Sequence, residues 1–352
     1  MGKRGRLIGG VALTALFLWL ALRNVDIGAV RDGLRHARYE FLLPAALCNV
    51  AGYGVRTLRW QRILAPTKRV SFGRLYPVLM TGFAANNLLP ARIGEFTRAY
   101  LLGSRERVSR SLALATIVVE RVCDGLTLLA LMAVTLALVP IPATDAHLRT
   151  VEIAAALIFG LATAGLVALM LVPRPLLAIV RLLLRPAPRA LARRVAGLLE
   201  SFIGGLEALR RPRALASIAG LSLVVWALEG ASYGFIMLAF PFDLGPGQWF
   251  AAAAFLLVFV NLGIMIPSAP GYIGTYQVFA RLALGAFGVA PALAVGLSFV
   301  AHALQYGLIT GTGLLCCWRL GLTPARLGTL ARTTQPRGGG ARPLAAGAEV
   351  AD

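Results

Sequence analysis

Long apolar runs without a charged residue dominate the pattern of this chain. Such runs cover residues 7–22, 153–172, 244–280 and 282–318. About 20 consecutive apolar residues are enough for a helix to cross the hydrocarbon core of a bilayer. The sequence lacks the ten-residue segments of alternating polarity that form membrane strands. The pattern therefore predicts an all-α polytopic membrane protein with about six to eight transmembrane helices.

The predicted helices are of two kinds, uninterrupted and interrupted. Segments 75–103 and 250–288 carry Gly and Pro near their centres, and these residues break helices. Each of the two segments is either a re-entrant hairpin or a pair of spans, and the pattern leaves both alternatives open. The uninterrupted helices are predicted at residues 7–22, 41–60, 111–139, 151–172, 214–240 and 292–318.

Charge is scarce within the apolar runs and concentrated between them. The formal net charge is +20, although only 14% of the residues are charged. Lys and Arg gather on one side of the predicted helices, as the positive-inside rule expects. This placement predicts a multi-pass protein of the bacterial inner membrane with cytoplasmic termini, and argues against a nucleic-acid partner. Residues 1–325 are predicted to form one transmembrane domain, and residues 326–352 a disordered cytoplasmic tail.

The sequence shows no spacing that is typical of a metal or cofactor site. Its four Cys lie in apolar segments without a CxxC motif, and its three His are scattered. We therefore expect no metal, no cofactor and no catalytic residue. The prediction is that the protein is not an enzyme.

An internal repeat relates the two interrupted segments. Residues 90–96 read PARIGEF and residues 270–276 read PGYIGTY, at an offset of 180. An odd number of predicted spans separates the copies, so their orientations are opposite. We predict an inverted-topology repeat with halves at about 41–139 and 221–318, an arrangement typical of transporters with a site between the halves. Chance similarity between apolar segments is the alternative.

The first interrupted segment contains the polar stretch NNLLPARIGEFTRA. Pro90 and Gly94 predict a broken helix, because proline starts helices and glycine permits close backbone approach. The restarted helix would point its N-terminus into the protein, where free N–H groups bind anions. Arg92 opposes the helix dipole there and needs an anion or an acid nearby. Glu95 and Arg98 are spaced to pair on one helix face.

The helix predicted at 111–139 carries its charges at one level. Glu120, Arg121 and Asp124 lie within about one turn of each other. Charges near the bilayer centre are costly and are functional candidates by default. Two hypotheses remain open for them, a polar translocation site and an ion pair that only locks this helix to the broken one.

The second half repeats the break with different chemistry. Pro267, Pro270, Gly271 and Gly274 predict a re-entrant tip within an uncharged run. Glu229 is a lone acid of its helix and Arg281 a lone base. His302, aligned with Glu120 at an offset of 182, is also compatible with an ordinary core histidine. The polar residues predicted to bind substrate in this half are Tyr272, Tyr276, Gln277 and His302.

Basic residues also end the helix predicted at 41–60. Trp60 and Arg62 are typical of the belt of aromatic and snorkelling side chains at a membrane surface. Arg56 and Arg59 are candidates to hold anionic headgroups.

Four motifs together resemble a known family. RTLRWQRIL at 56–64, NNLLPARIGEFTRAYLL at 86–102, ERVCDGL at 120–126 and PSAPGYIGTYQ at 267–277 resemble the transmembrane region of lysylphosphatidylglycerol synthases and the related flippase-like membrane proteins. The resemblance covers roughly residues 5–325. The last motif departs from a common PGGxG form followed by an acid, because Tyr272 replaces the second Gly and residues 275–277 carry no acid.

The resemblance implies that this region moves a phospholipid between leaflets. In the synthases that lipid is aminoacylated, and a soluble aminoacyl-transfer domain follows the membrane region. We expect translocation of an anionic, aminoacylated or isoprenoid lipid at a site formed by Arg59, Arg92, Glu95, Arg98, Glu120, Arg121 and Asp124. The alternatives are an accessory subunit or enzyme of envelope glycolipid or polyprenyl-phosphate metabolism, and a purely structural partner. Membrane lipids are the expected partners, a membrane enzyme is a compatible one, and the oligomeric state stays open.

Overall fold

The computed structural model describes residues 3–89, 93–138, 212–264 and 270–322. All regular structure in these residues is helical, and no strand occurs among them. The prediction of an all-α polytopic membrane protein is therefore confirmed. The helix predicted at 151–172 and the tail predicted at 326–352 lie outside the described residues.

Ten α-helices make up the described part of the chain. The predicted interruptions at 75–103 and 250–288 each appear as two helices with a break between them. The bounds are α1 Lys3–Leu22, α2 Ile27–Arg35, α3 Leu42–Leu64, α4 Phe72–Leu88, α5 Gly94–Glu106, α6 Arg110–Leu138, α7 Pro212–Leu238, α8 Pro246–Gly263, α9 Thr275–Gly285 and α10 Pro291–Arg319, with short 3₁₀ turns at Tyr39–Phe41 and Pro270–Tyr272.

Four described helical segments are long and apolar enough to cross a membrane. These are Tyr39–Leu64, Pro212–Leu238, Pro246–Gly263 and Pro291–Arg319, and α1 with α2 would make a fifth if this bent pair counted as one span. Helix α6 has 29 residues and adds a long apolar element that carries three charges near its middle. A helix of that length exceeds the hydrocarbon thickness of a bilayer.

Helix α2 lies between the helices predicted at 7–22 and 41–60, where the sequence pattern predicts no helix. Its axis is bent by 82° from that of α1. The Asp26 side chain starts α2 by accepting from the N–H groups of Gly28 and Ala29. Arg281, a lone base in the sequence, donates to the carbonyls of Leu20 and Ala21 at 3.2 and 3.0 Å. Arg281 therefore satisfies free carbonyl groups at the end of α1.

Helices α3 and α7 run antiparallel and form the seam between the two halves. The Arg38 N–H donates to the carbonyl of Ala239 at 2.9 Å, just outside one end of the pair. Further along, Arg56 contacts Glu229 and Arg59 contacts Ser222. Increasing numbers on α3 thus meet decreasing numbers on α7. The predicted opposite orientation of these two helices is confirmed.

Helices α4 and α5 form a hairpin that returns to the side on which it began. At the tip, the Asn86 side chain accepts from the Gly94 N–H at 2.7 Å. At the other end, the Glu106 carboxylate lies 3.8 Å from both Lys68 and Arg74. The start of α4 and the end of α5 are therefore at the same face of the protein.

Helices α8 and α9 form the second hairpin. Gly263 near its tip lies against the Phe279 ring, and Phe255 packs edge-on against Phe287 at 5.2 Å. This hairpin follows the C-terminal end of α7, whereas the first follows the C-terminal end of α3. Because α3 and α7 are antiparallel, the two hairpins enter from opposite sides. This opposite entry is the arrangement that an inverted-topology repeat predicts, while the bounds of its halves stay a prediction.

The tips of the two hairpins contact each other. The Tyr272 hydroxyl lies 3.4 Å from the carbonyl of Asn86. Tyr272 has a φ of 57°, in the left-handed region where a side chain costs about 1–2 kcal/mol. Glycine adopts this conformation freely, because it has no side chain. In this chain the tyrosine instead brings a hydroxyl to the opposite hairpin.

Replacing Gly274 with Ala is expected to reduce the free energy of unfolding by about 1–3 kcal/mol. Gly274 has a φ of 92°, and an added Cβ would lie 2.9 Å from the backbone nitrogen of Leu18 in α1. The measurement is detergent unfolding in mixed micelles. Gly285→Ala is the control, because nothing lies within 4 Å of a Cβ at that position. Equal stability of the two variants would contradict the close packing of α1 on the second hairpin.

Candidate functional site

A cluster of buried charges lies where the first hairpin, helix α6 and the α3–α7 seam meet. It comprises four arginines and three acids, all on helices whose other residues are mostly apolar. Helix α3 supplies two arginines, α5 one, α6 one arginine and two acids, and α7 the third acid. The members of this central cluster are Arg56, Arg59, Arg98, Glu120, Arg121, Asp124 and Glu229.

Glu120 is the fully buried acid of the central cluster. Its side chain is fully buried, and Arg98 donates to both carboxylate oxygens at 3.2 and 2.8 Å. Arg121 donates to the same carboxylate at 2.7 Å, and Arg59 lies 3.9 Å away. The two-pronged Arg98 contact fixes the geometry of α5 against α6, since guanidinium and carboxylate groups match in this arrangement.

Asp124 lies one turn further along α6 and joins it to the seam. Arg59 donates to Asp124 Oδ1 at 2.7 Å, and Trp226 Nε1 donates to the same oxygen at 3.2 Å. Arg56 and Arg121 lie 3.5 and 3.4 Å from this carboxylate. Two acids spaced four residues apart on α6 therefore hold arginines from three helices.

Helix α7 from the second half completes the cluster. Glu229 accepts from Arg56 at 2.8 Å, and the Ser222 hydroxyl accepts from Arg59 at 3.0 Å. Glu229 is a lone acid in the sequence, yet the structure pairs it across the seam. Ser222 and Trp226 carry no sequence signal, because a serine and a tryptophan in an apolar helix are unremarkable.

The predicted pairing of Glu95 with Arg98 is wrong. Glu95 accepts instead from the Asn86 side-chain amide at 3.2 Å, and Arg98 turns to Glu120. Asn86 therefore links the end of α4 to the start of α5 through the Gly94 N–H and the Glu95 carboxylate. The i, i+3 spacing is compatible with a local pair. Arg98 pairs with Glu120 instead, because a fully buried carboxylate is costly unless a cation lies beside it.

Aromatic rings cover the guanidinium groups of the cluster. Arg98 lies 4.1 Å from the Trp60 ring centroid, and Arg56 lies 4.8 Å from that of Trp226. Trp60 is fully buried and donates from Nε1 to the Thr116 hydroxyl at 3.0 Å. The interpretation of Trp60 as a surface anchor is wrong, because its ring packs on a cation in the interior.

The central cluster retains unused hydrogen-bond donors. The four arginines exceed the three acids by one positive charge. Arg59 Nε and Nη2, Arg98 Nε and Arg121 Nε are buried without a hydrogen-bond partner among the described residues. The Arg121 side chain is 38% exposed, whereas Arg59 is fully buried. A cationic centre with free N–H groups and one accessible arginine suits an anionic group such as phosphate.

The corresponding part of the second half is a neutral network. The Tyr276 hydroxyl lies 3.1 Å from that of Tyr233, and both approach Gln305 Oε1. Gln277 accepts from the Gly274 N–H at 2.7 Å and contacts His302 Nδ1 at 3.1 Å. Amide, phenol and imidazole groups thus replace the ion pairs of the first half.

The structure brings most of the predicted site residues into these two groups. Arg59, Arg98, Glu120, Arg121 and Asp124 lie together in the central cluster. Glu95 lies at the tip of the first hairpin and Tyr272 at the tip of the second, while Tyr276, Gln277 and His302 lie in the neutral network. Whether these residues bind substrate stays a prediction.

Some of the predicted helix-break residues belong to the described part of the chain, and others lie outside it. Gly94 starts α5, and Gly271 and Gly274 have φ values of 81° and 92°. Pro270 begins the 3₁₀ turn before α9. Pro90, Arg92 and Pro267 lie outside the described residues. Within the described ranges, no group of three or more His, Cys, Asp or Glu could hold a metal ion.

Comparison with known proteins finds relatives along most of this chain. Glycosyltransferase AglD of Haloferax volcanii is 26% identical over 351 residues, which cover 92% of this chain and 56% of that protein. A UPF0104 membrane protein of Methanothermobacter thermautotrophicus is 26% identical over 320 residues, 87% of this chain and 92% of the relative. A shorter match, 25% identical over 115 residues, is UPF0104 membrane protein MJ1595 of Methanocaldococcus jannaschii, with 32% of this chain and 34% of the relative covered.

The prediction that the protein is not an enzyme is contradicted by the first of these relatives. That protein is named as a glycosyltransferase, and the similarity extends over 92% of this chain. The prediction rested on the lack of a metal or cofactor motif, and the absence of a familiar motif is weak ground for excluding activity. The chain spans only 56% of that relative's length.

A family assignment follows from a match that covers most of the chain. The family described as Lysylphosphatidylglycerol synthase TM region matches residues 7–313. This range includes every described helix from α2 to α9 and nearly all of α1 and α10. The resemblance seen in the four motifs is thereby confirmed, and the multi-pass membrane character with it. The chain belongs to the Lysylphosphatidylglycerol synthase TM region family.

Proposed function

We propose that this protein binds the anionic headgroup of a membrane lipid at the central cluster and moves that lipid between leaflets. The observation that carries the proposal is the surplus of cationic donors in the cluster. Four guanidinium groups face three carboxylates, and several buried N–H groups have no partner among the described residues. A phosphate oxygen would complete these hydrogen bonds and balance the net charge.

The inverted hairpins support movement rather than static binding. Their tips meet at Tyr272 and Asn86, next to the cluster, and they enter from opposite sides. In transporters built from inverted repeats, substrate sites lie at the interface of the repeats near the midplane. A headgroup at the cluster would lie among membrane-spanning helices while its acyl chains remain in lipid. We place the protein in the bacterial inner membrane with both termini in the cytoplasm, in line with the distribution of Lys and Arg.

The test is a leaflet-exchange assay in proteoliposomes that contain fluorescent phosphatidylglycerol or phosphatidylcholine. Replacing Arg121 with Gln is expected to slow exchange of the anionic lipid by roughly tenfold to a hundredfold. The loss of a hydrogen bond to a charged group corresponds to about 1.5–3 kcal/mol. Arg121 is chosen because its side chain is 38% exposed, so the variant is expected to fold.

Arg319→Gln serves as the control for lost charge, since Arg319 is exposed at the end of α10. Exchange should remain at the level of the unmodified protein in this variant. Failure of the well-folded protein to move either lipid would refute passive transport. Equal exchange of both lipids would refute recognition of an anionic headgroup.

A second candidate function follows from the relative named Glycosyltransferase AglD. The cluster would then hold the phosphate of a lipid carrier during a glycosyltransferase reaction. The test is to incubate the purified protein with polyprenyl phosphate and radiolabelled sugar nucleotides, and to look for a labelled lipid. A labelled lipid formed without leaflet exchange would favour this second function over the first.

A further inference from the structure

A groove opens at the end of the α3–α7 seam, away from the central cluster. Its volume is about 590 Å³. Both helices and the segment that follows α3 contribute to its walls. The described residues that line this α3–α7 groove are Leu58, Gln61, Arg62, Ala65, Arg69, Val70, Ser217 and Leu221.

The α3–α7 groove carries positive charge that no described carboxylate compensates. Arg62 and Arg69 are exposed, and neither has a carboxylate within 4.0 Å among the described residues. None of the described lining residues is acidic, and Ser217 adds a hydroxyl. Two guanidinium groups and a hydroxyl around a concave surface match the oxygens of a phosphate monoester or diester.

The segment that carries Arg69 is held in place by α3. Gln61 Nε2 donates to the carbonyl of Val70 at 2.7 Å, and the Val70 side chain is buried. The chain therefore turns back over the end of α3 instead of extending into solvent. This distinguishes the groove from a belt of snorkelling side chains, in which each arginine reaches the surface independently.

Two residues that line the groove are direct sequence neighbours of residues in or against the central cluster. Leu58 precedes Arg59 on α3, and Leu221 precedes Ser222 on α7, and the Arg59 guanidinium donates to the Ser222 hydroxyl. Arg56, Arg59 and Arg62 follow each other at intervals of three residues along α3, which is less than one helical turn. Positive charge therefore continues from the groove towards the interior.

The groove also borders an apolar surface. Leu58 is 42% exposed, Leu215 43% and Leu223 62%, although all three belong to membrane-spanning helices. Such side chains contact acyl chains in a bilayer. The groove thus has arginines near the end of α3 and leucines beside them. This arrangement matches the anionic headgroup and the apolar acyl chains of a phospholipid.

We propose that the α3–α7 groove binds the phosphate of an anionic phospholipid before that headgroup reaches the central cluster. This inference extends the proposed function by giving the lipid a first binding site on one face of the membrane. Occupancy of the groove does not itself require transport, so the two proposals can fail separately.

The test uses a phosphatidylglycerol probe with a photoreactive diazirine at the start of one acyl chain. The probe is mixed at low mole fraction into phosphatidylcholine nanodiscs that contain the full chain. Photolysis followed by peptide mass spectrometry is expected to place cross-links on residues 58–70 and 215–221. Arg62→Gln with Arg69→Gln should reduce these cross-links on the order of tenfold, because each basic residue near the surface contributes separately to binding of anionic lipid.

The matched control removes two charges from the same face outside the groove. Arg74 and Arg319 are exposed, and neither lines the groove. Arg74→Gln with Arg319→Gln should leave the cross-links unchanged. An equal loss in both double variants would overturn the proposal, because surface charge alone would then explain the labelling. Competition by millimolar inorganic phosphate would also overturn it, since the groove would then prefer a soluble anion.

Leaflet exchange measured on the same variants in proteoliposomes separates the two proposals. Cross-links in the groove without exchange would support the binding site and refute transport. Exchange of anionic lipid without cross-links in the groove would support transport and refute this first site. The absence of cross-links in the well-folded protein would therefore refute the groove as a binding site, whether or not lipid exchange occurs.

Discussion

Replacing Glu120 with Gln is expected to reduce the free energy of unfolding by about 3–5 kcal/mol, because removing one partner of a buried ion pair leaves the other charge uncompensated. The Glu120 carboxylate is fully buried and accepts from Arg98 at 2.8 Å and from Arg121 at 2.7 Å. Glutamine keeps the size of the side chain but loses its charge. The measurement is unfolding by sodium dodecyl sulfate in mixed micelles.

The double variant Arg98→Gln with Glu120→Gln is the matched comparison. It restores the charge balance of the cluster, so part of the lost stability should return. A Glu120→Gln variant with unchanged stability would contradict the assigned ion pairs. The double variant also separates the two hypotheses for these charges. If it is stable and still exchanges anionic lipid, the pair only locks α5 to α6, whereas a stable variant without exchange assigns the pair to transport.

The arrangement of the helices was largely predictable from the sequence. Uncharged runs long enough to cross a bilayer set the class, and the offset of 180 residues related the two interrupted segments. The short helix α2 was missed, because Arg31, Asp32 and Arg35 give it no apolar run. Its amphipathic pattern, with an Asp cap before Gly28, is a signal that could have located it.

The partners within the central cluster were much less predictable. Charged residues within apolar segments identify candidate site residues, and this pattern predicts Arg59, Arg98, Glu120 and Asp124. Their pairing depends on contacts between distant segments, such as the 173 residues that separate Arg56 from Glu229. A local spacing rule favours Glu95 as the partner of Arg98. Once the helices pack, however, Arg98 binds the fully buried carboxylate of Glu120.

The two halves differ in chemistry more than their alignment indicates. The offset pairs Glu120 with His302, and the structure places each beside the hairpin of its own half. Glu120 holds arginines, whereas His302 stacks on Tyr276 at 4.5 Å and contacts Gln277. The two halves therefore share the helix arrangement, while all the charges of the central cluster except Glu229 lie in the first half. This asymmetry supports a single anionic headgroup site at the cluster rather than two equivalent sites.

Replacing Gly94 with Ala is expected to destabilise the first hairpin by about 3 kcal/mol, the sum of overpacking and a lost helix cap. An added Cβ would overlap the carbonyl oxygen of Gly82 and lie 2.5 Å from Asn86 Oδ1, which is far closer than real Cβ atoms approach. The backbone at Gly82 cannot move without separating α4 from α5. The Asn86 side chain would also lose its contact with the Gly94 N–H.

The measurement compares Gly94→Ala with Gly307→Ala in mixed-micelle unfolding. Nothing lies within 4 Å of a Cβ at Gly307, so this control should be as stable as the unmodified protein or slightly more stable. Equal unfolding of the two variants would contradict the close approach of α4 and α5. Because Arg98 follows Gly94 by one turn on α5, opening of the hairpin would also withdraw its guanidinium from Glu120. Loss of anionic-lipid exchange in Gly94→Ala, under conditions where the protein remains folded, would therefore connect the geometry of the first hairpin to the charge of the central cluster.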